Sequence, residues 1–265
     1  MTQSQKAAHF RSLHQGPNIL ILPNAWDAAT ARIFEVAGFP ALGSTSAGVA
    51  NALGYADGNH VSRDENLEVV SRIVSAVQVP VTADVESGYG DPVATAKAVA
   101  AAGAVGMNLE DLVGDTLTDL ATQAAIIREI RALDLPIVLN ARTDVYLANL
   151  GDPATQFART VERLNAYREA GADSLFVPGV SAAETIAALA REVHGPLNIL
   201  ATVGTPPVGV LHRLGVARVS VGSGPARAAL GLVRRIAEHL RDQGSYDLML
   251  TGQIPYAEVN AMLSR

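Results

Sequence analysis

Three acidic residues and one arginine stand at the ends of short apolar runs, where they could take part in metal chemistry. Asp84 and Glu86 follow the third of eight such runs, Glu110 follows the fourth, and Arg142 ends the fifth. If the runs are parallel strands, these side chains gather at one edge of the sheet, and alternation places Asp84 and Glu86 on one side. Crowded carboxylates repel one another unless a cation lies among them. All-oxygen ligands of this kind favour Mg²⁺ or Mn²⁺.

A more ordinary interpretation stays open for each acid taken alone. A single Asp or Glu at a strand end is more often a solvated cap than a ligand. Three acids on neighbouring strands with an arginine on the next favour the metal site, with Asp84, Glu86 and Glu110 as the predicted ligands.

The eight apolar runs alternate with segments of helical spacing, a pattern typical of a parallel sheet whose strands are buried on both faces. The predicted strands are 19–22, 41–44, 79–83, 105–109, 137–141, 174–177, 197–201 and 218–221. The predicted helices between them are 28–37, 66–77, 92–102, 120–133, 153–170, 182–193 and 205–214. No linker divides the chain, so we predict one α/β domain over 1–265, a (β/α)₈ TIM barrel. Further helices at 225–243 and 256–263 exceed one closing layer and could reach a neighbouring subunit.

Composition excludes several classes of protein. The 265 residues contain no Cys, which removes disulfides, iron–sulfur clusters, Cys-ligated zinc and thiol catalysis. Lys6 and Lys97 are the two lysines, and Lys97 should point outward from a helix, which disfavours a Schiff-base aldolase. The net charge of −6, without a Lys/Arg run, argues against nucleic-acid or membrane partners. Residues 1–12 lack the apolar core of a signal peptide, so a cytoplasmic protein is expected.

Five motifs in a fixed order resemble the isocitrate lyase and phosphoenolpyruvate mutase superfamily. They are Leu22-Pro-Asn-Ala-Trp-Asp27, Gly43-Ser-Thr-Ser46 with Leu53-Gly-Tyr-Ala-Asp57 downstream, Thr82-Ala-Asp-Val-Glu-Ser-Gly-Tyr-Gly90, Asn108-Leu-Glu-Asp111 and Asn140-Ala-Arg-Thr-Asp144. The resemblance continues through Ala170–Val177 and Arg218–Gly224, so it covers nearly the whole chain.

The resemblance implies a (β/α)₈ barrel whose eighth helix is exchanged between subunits of a homodimer or homotetramer. It implies Mg²⁺ held directly by Asp84, with Glu86 and Glu110 acting directly or through water, and Asp57 near the metal's water shell. Ser44 and Thr45, with their backbone N–H groups, would hold the carboxylate of a 2-oxo acid, and Ser46 would also bind the substrate. Arg142 would stabilise the forming enolate, and Trp26 would be a wall beside the substrate. The implied catalytic residues are therefore Arg142, Asp57 and Ser44.

The chain departs from this family immediately after Glu110-Asp111. Lyases that cleave isocitrate or methylisocitrate carry a Lys-Lys/Arg-Cys-Gly-His motif there, whereas this sequence reads Leu112-Val-Gly-Asp-Thr-Leu-Thr-Asp119. The Lys and Asn of the phosphonate-forming lid are also absent between Glu110 and Leu139. These departures disfavour an isocitrate-type cleavage and weaken, without excluding, carbon–phosphorus chemistry.

The remaining chemistry needs only a metal and an arginine. We predict a Mg²⁺-dependent lyase acting on a small 2-oxo or 2-hydroxy carboxylate through an enolate, most simply by decarboxylating oxaloacetate. The alternatives are phosphonopyruvate hydrolase or phosphoenolpyruvate mutase chemistry, and a non-catalytic 2-oxo acid binder. His60 is a weaker acid/base candidate, and Gly222-Ser-Gly224 a weaker anion-binding candidate.

Overall fold

The computed structural model describes residues 1–58 and 60–264 and shows strands and helices in alternation. Within those residues a nine-stranded parallel sheet has the order β1-β11-β10-β9-β8-β5-β4-β3-β2. Its strands are β1 Leu20–Leu22, β2 Asn24–Ala25, β3 Leu42–Ser44, β4 Val81–Asp84, β5 Gly106–Glu110, β8 Val138–Arg142, β9 Ser174–Val177, β10 Leu197–Leu200 and β11 Arg218–Ser220. A short antiparallel hairpin consists of β6 Leu112–Val113 and β7 Thr116–Leu117.

The sheet closes into a barrel through its first two strands. Pro23 has no N–H and separates β1, which pairs with β11, from β2, which pairs with β3. The Pro23 carbonyl still accepts from the Gly43 N–H at 2.9 Å. The two short strands therefore serve as one barrel strand, which confirms the predicted eight-stranded TIM barrel.

Twelve helices surround or follow the strands in the described part of the chain. They are α1 Gln3–Leu13, α2 Ala28–Val36, α3 Ser46–Ala52, α4 Arg63–Ala76, α5 Pro92–Ala101, α6 Leu120–Ala132, α7 Pro153–Glu169, α8 Ala183–Glu192, α9 Val208–Arg213, α10 Gly224–Gln243, α11 Asp247–Leu250 and α12 Tyr256–Leu263. All nine predicted helices are present, with ends that differ by a few residues. No helix in residues 1–58 and 60–264 is both long enough and apolar enough to cross a membrane.

The sequence pattern missed α1, α3, α11 and the hairpin. Helix α1 begins with a capping box between Thr2 and Gln5 and buries Ala7 and Phe10. Phe10 packs with Leu22, Val105 and residues of other strands in a small cluster inside the barrel. A polar sequence with few apolar positions hid this helix, because only two of its side chains are fully buried.

Next to this apolar cluster, the barrel interior contains buried polar side chains. Asn140 donates to the Asn108 side-chain oxygen at 2.8 Å, and the fully buried Arg218 donates to the same oxygen at 3.3 Å. The main core instead lies between the outer face of the sheet and the surrounding helices, and includes Met107, Leu139 and Tyr167. The inside of the barrel thus holds both an apolar cluster beside α1 and buried hydrogen-bonding side chains.

Candidate active site

Asp84 is the last residue of β4, and the preceding strand's loop fixes its carboxylate. Ser46 donates to Asp84 Oδ2 from its backbone N–H at 3.0 Å and from its hydroxyl at 2.9 Å. The Asp84 N–H in turn donates to the Ser44 hydroxyl at 2.8 Å. Among the described residues, the second carboxylate oxygen, Oδ1, has only a long contact of 3.5 Å with the Asn108 amide. Asp84 is therefore oriented by one oxygen, and its other oxygen can accept a ligand.

Arg142, at the end of β8, is held between two carboxylates. Its Nε and Nη2 donate to the two oxygens of Asp144 at 2.6 and 2.9 Å, and its Nη1 lies 2.9 Å from Glu110 Oε2. The pairing of β5 with β8 places Glu110 directly opposite Arg142. Burial alone would lower the pKa of Arg142, but Glu110 and Asp144 raise it above the usual value. The guanidinium is fixed in place and keeps its charge.

Glu110 lies where several acids crowd around one arginine. Burial raises the pKa of Glu110 to about 8, opposed by Arg142 and reinforced by Asp144, Asp84 and Glu86. Burial, and then the carboxylates of Glu86, Asp84 and Glu110, raise the pKa of Tyr89. These acids therefore share one electrostatic environment with a deficit of positive charge.

Glu86 reaches this cluster by a different route from the predicted one. Strand β4 ends at Asp84, so side-chain alternation along a strand does not extend to Glu86. Glu86 instead adopts a left-handed backbone with φ of 51°, and its side chain is buried beside the other acids. This conformation is uncommon for a residue with a side chain, and such residues cluster at functional sites.

A cavity of about 330 Å³ opens beside these groups at the carboxyl ends of the strands. It is lined by Ser46, Asp57, Gly58, Glu86, Glu110, Leu112, Gly114, Arg142, Asp144, Leu147 and Ala148. Asp57 is exposed there and accepts from the Gly58 N–H at 3.0 Å. The cavity therefore lies at the end of the barrel where TIM-barrel enzymes have their active sites.

Several predicted binding residues lie behind or away from this cavity. Ser44 and Thr45 are buried, and the Thr45 hydroxyl caps α3 by accepting from the Gly48 N–H at 3.4 Å. Trp26 lines a separate cavity of about 230 Å³ against α3 and α10. The roles of these three residues toward a substrate stay predictions, and Ser46 is the member of its segment that lines the 330 Å³ cavity.

The weaker candidates also lie outside the cavity lining. His60 is exposed, and Lys97 is exposed on α5, as predicted. The loop at Gly222-Ser-Gly224 is tied to the barrel, because the amides of Val221 and Gly222 donate to the Asn24 side-chain oxygen at 3.0 and 2.8 Å.

Comparison with known proteins now identifies the family. The family model of phosphoenolpyruvate phosphomutase matches residues 10–241. The chain belongs to this family. A crystal structure from Burkholderia cenocepacia, provisionally named a lyase/mutase, has a TM-score of 0.92 and 38% identity, covering 99% of this chain and 97% of that one.

Curated relatives of this phosphoenolpyruvate phosphomutase family member carry different activities. An uncharacterized protein of Mycobacterium tuberculosis is 36% identical, covering 96% of this chain and 95% of that protein. A 2-methylisocitrate lyase of Halalkalibacterium halodurans is 29% identical, covering 93% and 85% respectively. An oxaloacetate decarboxylase of Rhodopseudomonas palustris is also 29% identical, covering 95% and 90%. The family is therefore one of lyases and mutases. Membership in it does not specify which reaction this member catalyses.

The acidic residues of this family member fit a hydrated divalent cation. Within residues 1–58 and 60–264, no three Asp, Glu or His side chains already stand together as a complete metal site. Mg²⁺ typically binds proteins through one or two carboxylates and keeps several waters, so a complete protein shell is not required. Asp84 Oδ1 offers one oriented oxygen, and the mutual repulsion around Glu110 would be relieved by a cation.

Sequence reasoning left Asp144 and the apolar cavity residues without a role. Asp144 is fully buried and binds Arg142 through both oxygens. Its spacing of two residues from Arg142 was the signal available, although it lies beyond β8 in the following loop. Leu147 and Ala148 carry no such signal, because only the path of that loop brings them to the cavity.

Proposed function

We propose that this protein is a divalent-metal-dependent lyase for a small 2-oxo carboxylate, acting through an enolate and most simply decarboxylating oxaloacetate. The observation that carries the proposal is Arg142, which Glu110 and Asp144 fix at the wall of a cavity that Glu86 also lines. Asp84 is not part of the lining, but its carboxylate is near enough to raise the pKa of Glu110. A fixed positive charge among carboxylates suits a reaction that develops negative charge on a substrate oxygen.

Asp84 would hold the metal directly, and Glu86 and Glu110 would act directly or through water. A divalent cation held by these residues would supply Lewis-acid catalysis at the 2-oxo acid end of the substrate. Asp57, exposed at the cavity, would contact water around that cation. Ser46 contributes by holding Asp84 Oδ2, so that Oδ1 faces the ligand.

Arg142 would stabilise the oxygen on which charge develops. A guanidinium has five N–H donors, and one on each of its three nitrogens is used by Asp144 and Glu110. The two remaining donors, one on each terminal nitrogen, are available to a substrate oxygen. Because the pKa of Arg142 is raised, the side chain donates hydrogen bonds without giving up its proton.

Decarboxylation requires no thiol and no strong base. The C3–C4 bond breaks, CO₂ leaves, and the bonding electron pair becomes the C2–C3 double bond of an enolate, which then takes a proton from water to give pyruvate. Residues Leu112–Leu117 after Glu110-Asp111 form the hairpin and contain no Cys, Lys or His. This composition supports decarboxylation over the aldol-type cleavage of a methylisocitrate lyase.

The test is pyruvate formation from oxaloacetate with Mg²⁺ or Mn²⁺, corrected for the uncatalysed rate and repeated after EDTA treatment. We expect EDTA to abolish the rate and Asp84→Asn to lower it at least about 100-fold, since the oriented carboxylate oxygen is lost. Asp64→Asn is the matched control, because Asp64 is exposed and lies on α4. A rate that persists in EDTA, or no turnover with either metal, would contradict the proposal.

Carbon–phosphorus chemistry is the second candidate, and the match to the phosphoenolpyruvate phosphomutase model over residues 10–241 favours it. Phosphorus NMR of the protein with phosphonopyruvate or phosphoenolpyruvate distinguishes the two reactions, since an unchanged spectrum rules the second one out. Tight oxalate binding without turnover of either class of substrate would identify a non-catalytic binder.

We also propose that copies of this chain assemble through α10, as a homodimer or homotetramer with the eighth helix exchanged. In the described chain α10 is 20 residues long and buries only Ala226. Leu230 and Val233 line the same cavity as Trp26 and remain exposed, and Leu232 on the same helix is also exposed. Such an apolar patch supports a protein interface.

Light scattering on the double variant Leu230→Glu/Val233→Glu tests the assembly. We expect the mass to fall to that of one chain, while Val113→Glu, a charge placed on the exposed hairpin, leaves it unchanged. A wild-type mass of 27.6 kDa would contradict the proposal.

A further inference from the structure

Three residues with apolar side chains line the 330 Å³ cavity and have no role in the chemistry above. They are Leu112 on the hairpin and Leu147 with Ala148 in the loop after β8. We refer to them as the apolar wall. Leu147 is 48% exposed. Covering the apolar surface of a leucine is favourable, because it removes that surface from water. A bound ligand is the natural cover for an apolar surface that faces a cavity.

The backbone of the apolar wall is fixed in advance by one buried residue. Asp111 Oδ1 accepts from the Asp144 N–H at 3.0 Å, and the Asp111 carbonyl accepts from the Thr118 N–H at 2.7 Å. Asp111 Oδ2 accepts from Arg163 and Tyr167, each at 2.7 Å. Both segments that carry the wall are thus anchored to Asp111, the loop after β8 through its carboxylate and the end of the hairpin through its backbone carbonyl.

The loop after β8 has further constraints around Leu147. The Ala148 N–H donates to the Asp144 carbonyl at 2.9 Å. Gly179 packs so closely that a Cβ there would lie 2.7 Å from the Leu147 backbone nitrogen. Because the wall is positioned before any ligand arrives, little ordering cost accompanies binding.

Charge in the cavity also favours an uncharged group at the wall. Among the described lining residues Arg142 is the one basic side chain, against Asp57, Glu86, Glu110 and Asp144. Arg142 already donates to two of these carboxylates. A second substrate carboxylate held at the wall would lack a cation, whereas an alkyl group needs none.

We propose that the apolar wall binds an alkyl group on C3 of the substrate, so that the preferred substrate class is 2-oxo acids with a small alkyl substituent at C3. The inference rests on the proposed function, because it assumes that the 2-oxo carboxylate end lies against Asp84 and Arg142. Leu147 then determines specificity and takes no part in the bond-breaking step.

Binding of three unreactive acids tests this inference without turnover. Pyruvate, 2-oxobutyrate and 3-methyl-2-oxobutyrate, titrated calorimetrically into the Mn²⁺-loaded protein, differ only in carbons attached at C3. We expect affinity to rise about fourfold per added carbon, the equivalent of ~0.8 kcal/mol for each buried methylene. Leu147→Asn should flatten the series, so that the three acids bind with similar affinities.

Two further variants complete the experiment. Ala148→Leu fills space at the wall, so it should weaken 3-methyl-2-oxobutyrate binding by at least about tenfold relative to pyruvate. Leu250→Asn is the matched control, because Leu250 is 53% exposed on α11 and outside the cavity lining. The control should keep the whole affinity series.

Each outcome separates this inference from the proposed function. A flat series in the wild-type protein, an unaltered series in Leu147→Asn, or no binding of any of the three acids overturns the apolar-wall assignment. Rising affinities without decarboxylation of any 2-oxo diacid leave the wall in place and overturn the lyase. Oxaloacetate decarboxylation together with a flat affinity series overturns the apolar wall and leaves the lyase in place.

Discussion

Two neighbouring residues, Glu110 and Asp111, each pair with an arginine and yet form contrasting regions of the molecule. Glu110 points into the cavity and shares Arg142 with Asp144. Asp111 points the other way, toward α7, where it accepts from Arg163 and Tyr167. Alternation along β5 and just beyond it separates the two faces by a single residue.

The difference between the two pairs lies in how completely each carboxylate is satisfied. Asp111 has no exposed surface and accepts three side-chain or backbone hydrogen bonds through its two carboxylate oxygens. Glu110 borders open space, and its pKa is raised by burial and by the acids around it. A saturated pair stabilises the fold, whereas a crowded and unsaturated one can respond to a ligand.

The largest expected effect comes from breaking the saturated pair. Arg163→Met leaves Asp111 buried without its cation, so we expect the free energy of unfolding to fall by about 3–5 kcal/mol in urea denaturation. Arg72→Met is the control, since Arg72 and Glu68 form an exposed pair on α4 and should contribute no more than about 0.5 kcal/mol. Equal losses in the two variants would contradict the distinction.

The second prediction concerns Arg142 and Glu110, the ion pair at the cavity. Here we expect a large loss of activity and a small loss of stability. Arg142→Lys keeps a positive charge between Glu110 and Asp144 but loses the fork that bonds to both. We expect kcat for oxaloacetate decarboxylation to fall about 100-fold, because the fixed donors to the enolate oxygen are lost. Urea denaturation should show a smaller loss than for Arg163→Met.

The comparison would fail if Arg142→Lys kept its kcat and lost as much stability as Arg163→Met. Such a result would make both pairs structural. Kinetics and denaturation on the same protein preparation distinguish these outcomes.

The third and smallest effect comes from a buried base that has no acidic partner in residues 1–58 and 60–264. Burial, and then the nearby Arg218, lower the pKa of His14 to about 3, while its Nδ1 remains bonded to the Phe10 carbonyl. The unfolded chain binds a proton below about pH 6.5 and the folded chain does not, so stability present above that pH is lost as the pH falls. At pH 5 the loss from this group is about 2 kcal/mol.

His14→Gln should therefore show less loss of stability between pH 7 and pH 5 than the wild-type protein, by that amount, in urea denaturation. The exposed His194→Gln is the control and should keep the wild-type pH dependence. An identical pH dependence in all three proteins would show that folding does not lower the pKa of His14.

The sequence predicted the barrel because its strands are short, apolar and separated by regular helices, and each of those features is local. Asp84, Glu110 and Arg142 were found for the same reason, since strand ends can be located from the apolar run alone. Glu86 lies near Glu110, but it gets there through a left-handed backbone and not through the predicted strand alternation. Its role toward a metal stays a prediction. Helix α1 was missed, because its stabilising contacts are with distant strands.

The sequence by itself determined the order of strands and helices, the acidic and arginine residues at the strand ends, and the absence of a thiol, because these depend on residue type and short-range spacing. Tertiary structure alone decided which carboxylate of an adjacent pair faces the cavity, that Asp144 clamps Arg142, and that Leu147 lies beside them. Those contacts join segments whose mutual approach is set by barrel closure and by loop paths, and neither is encoded in any single stretch of the chain.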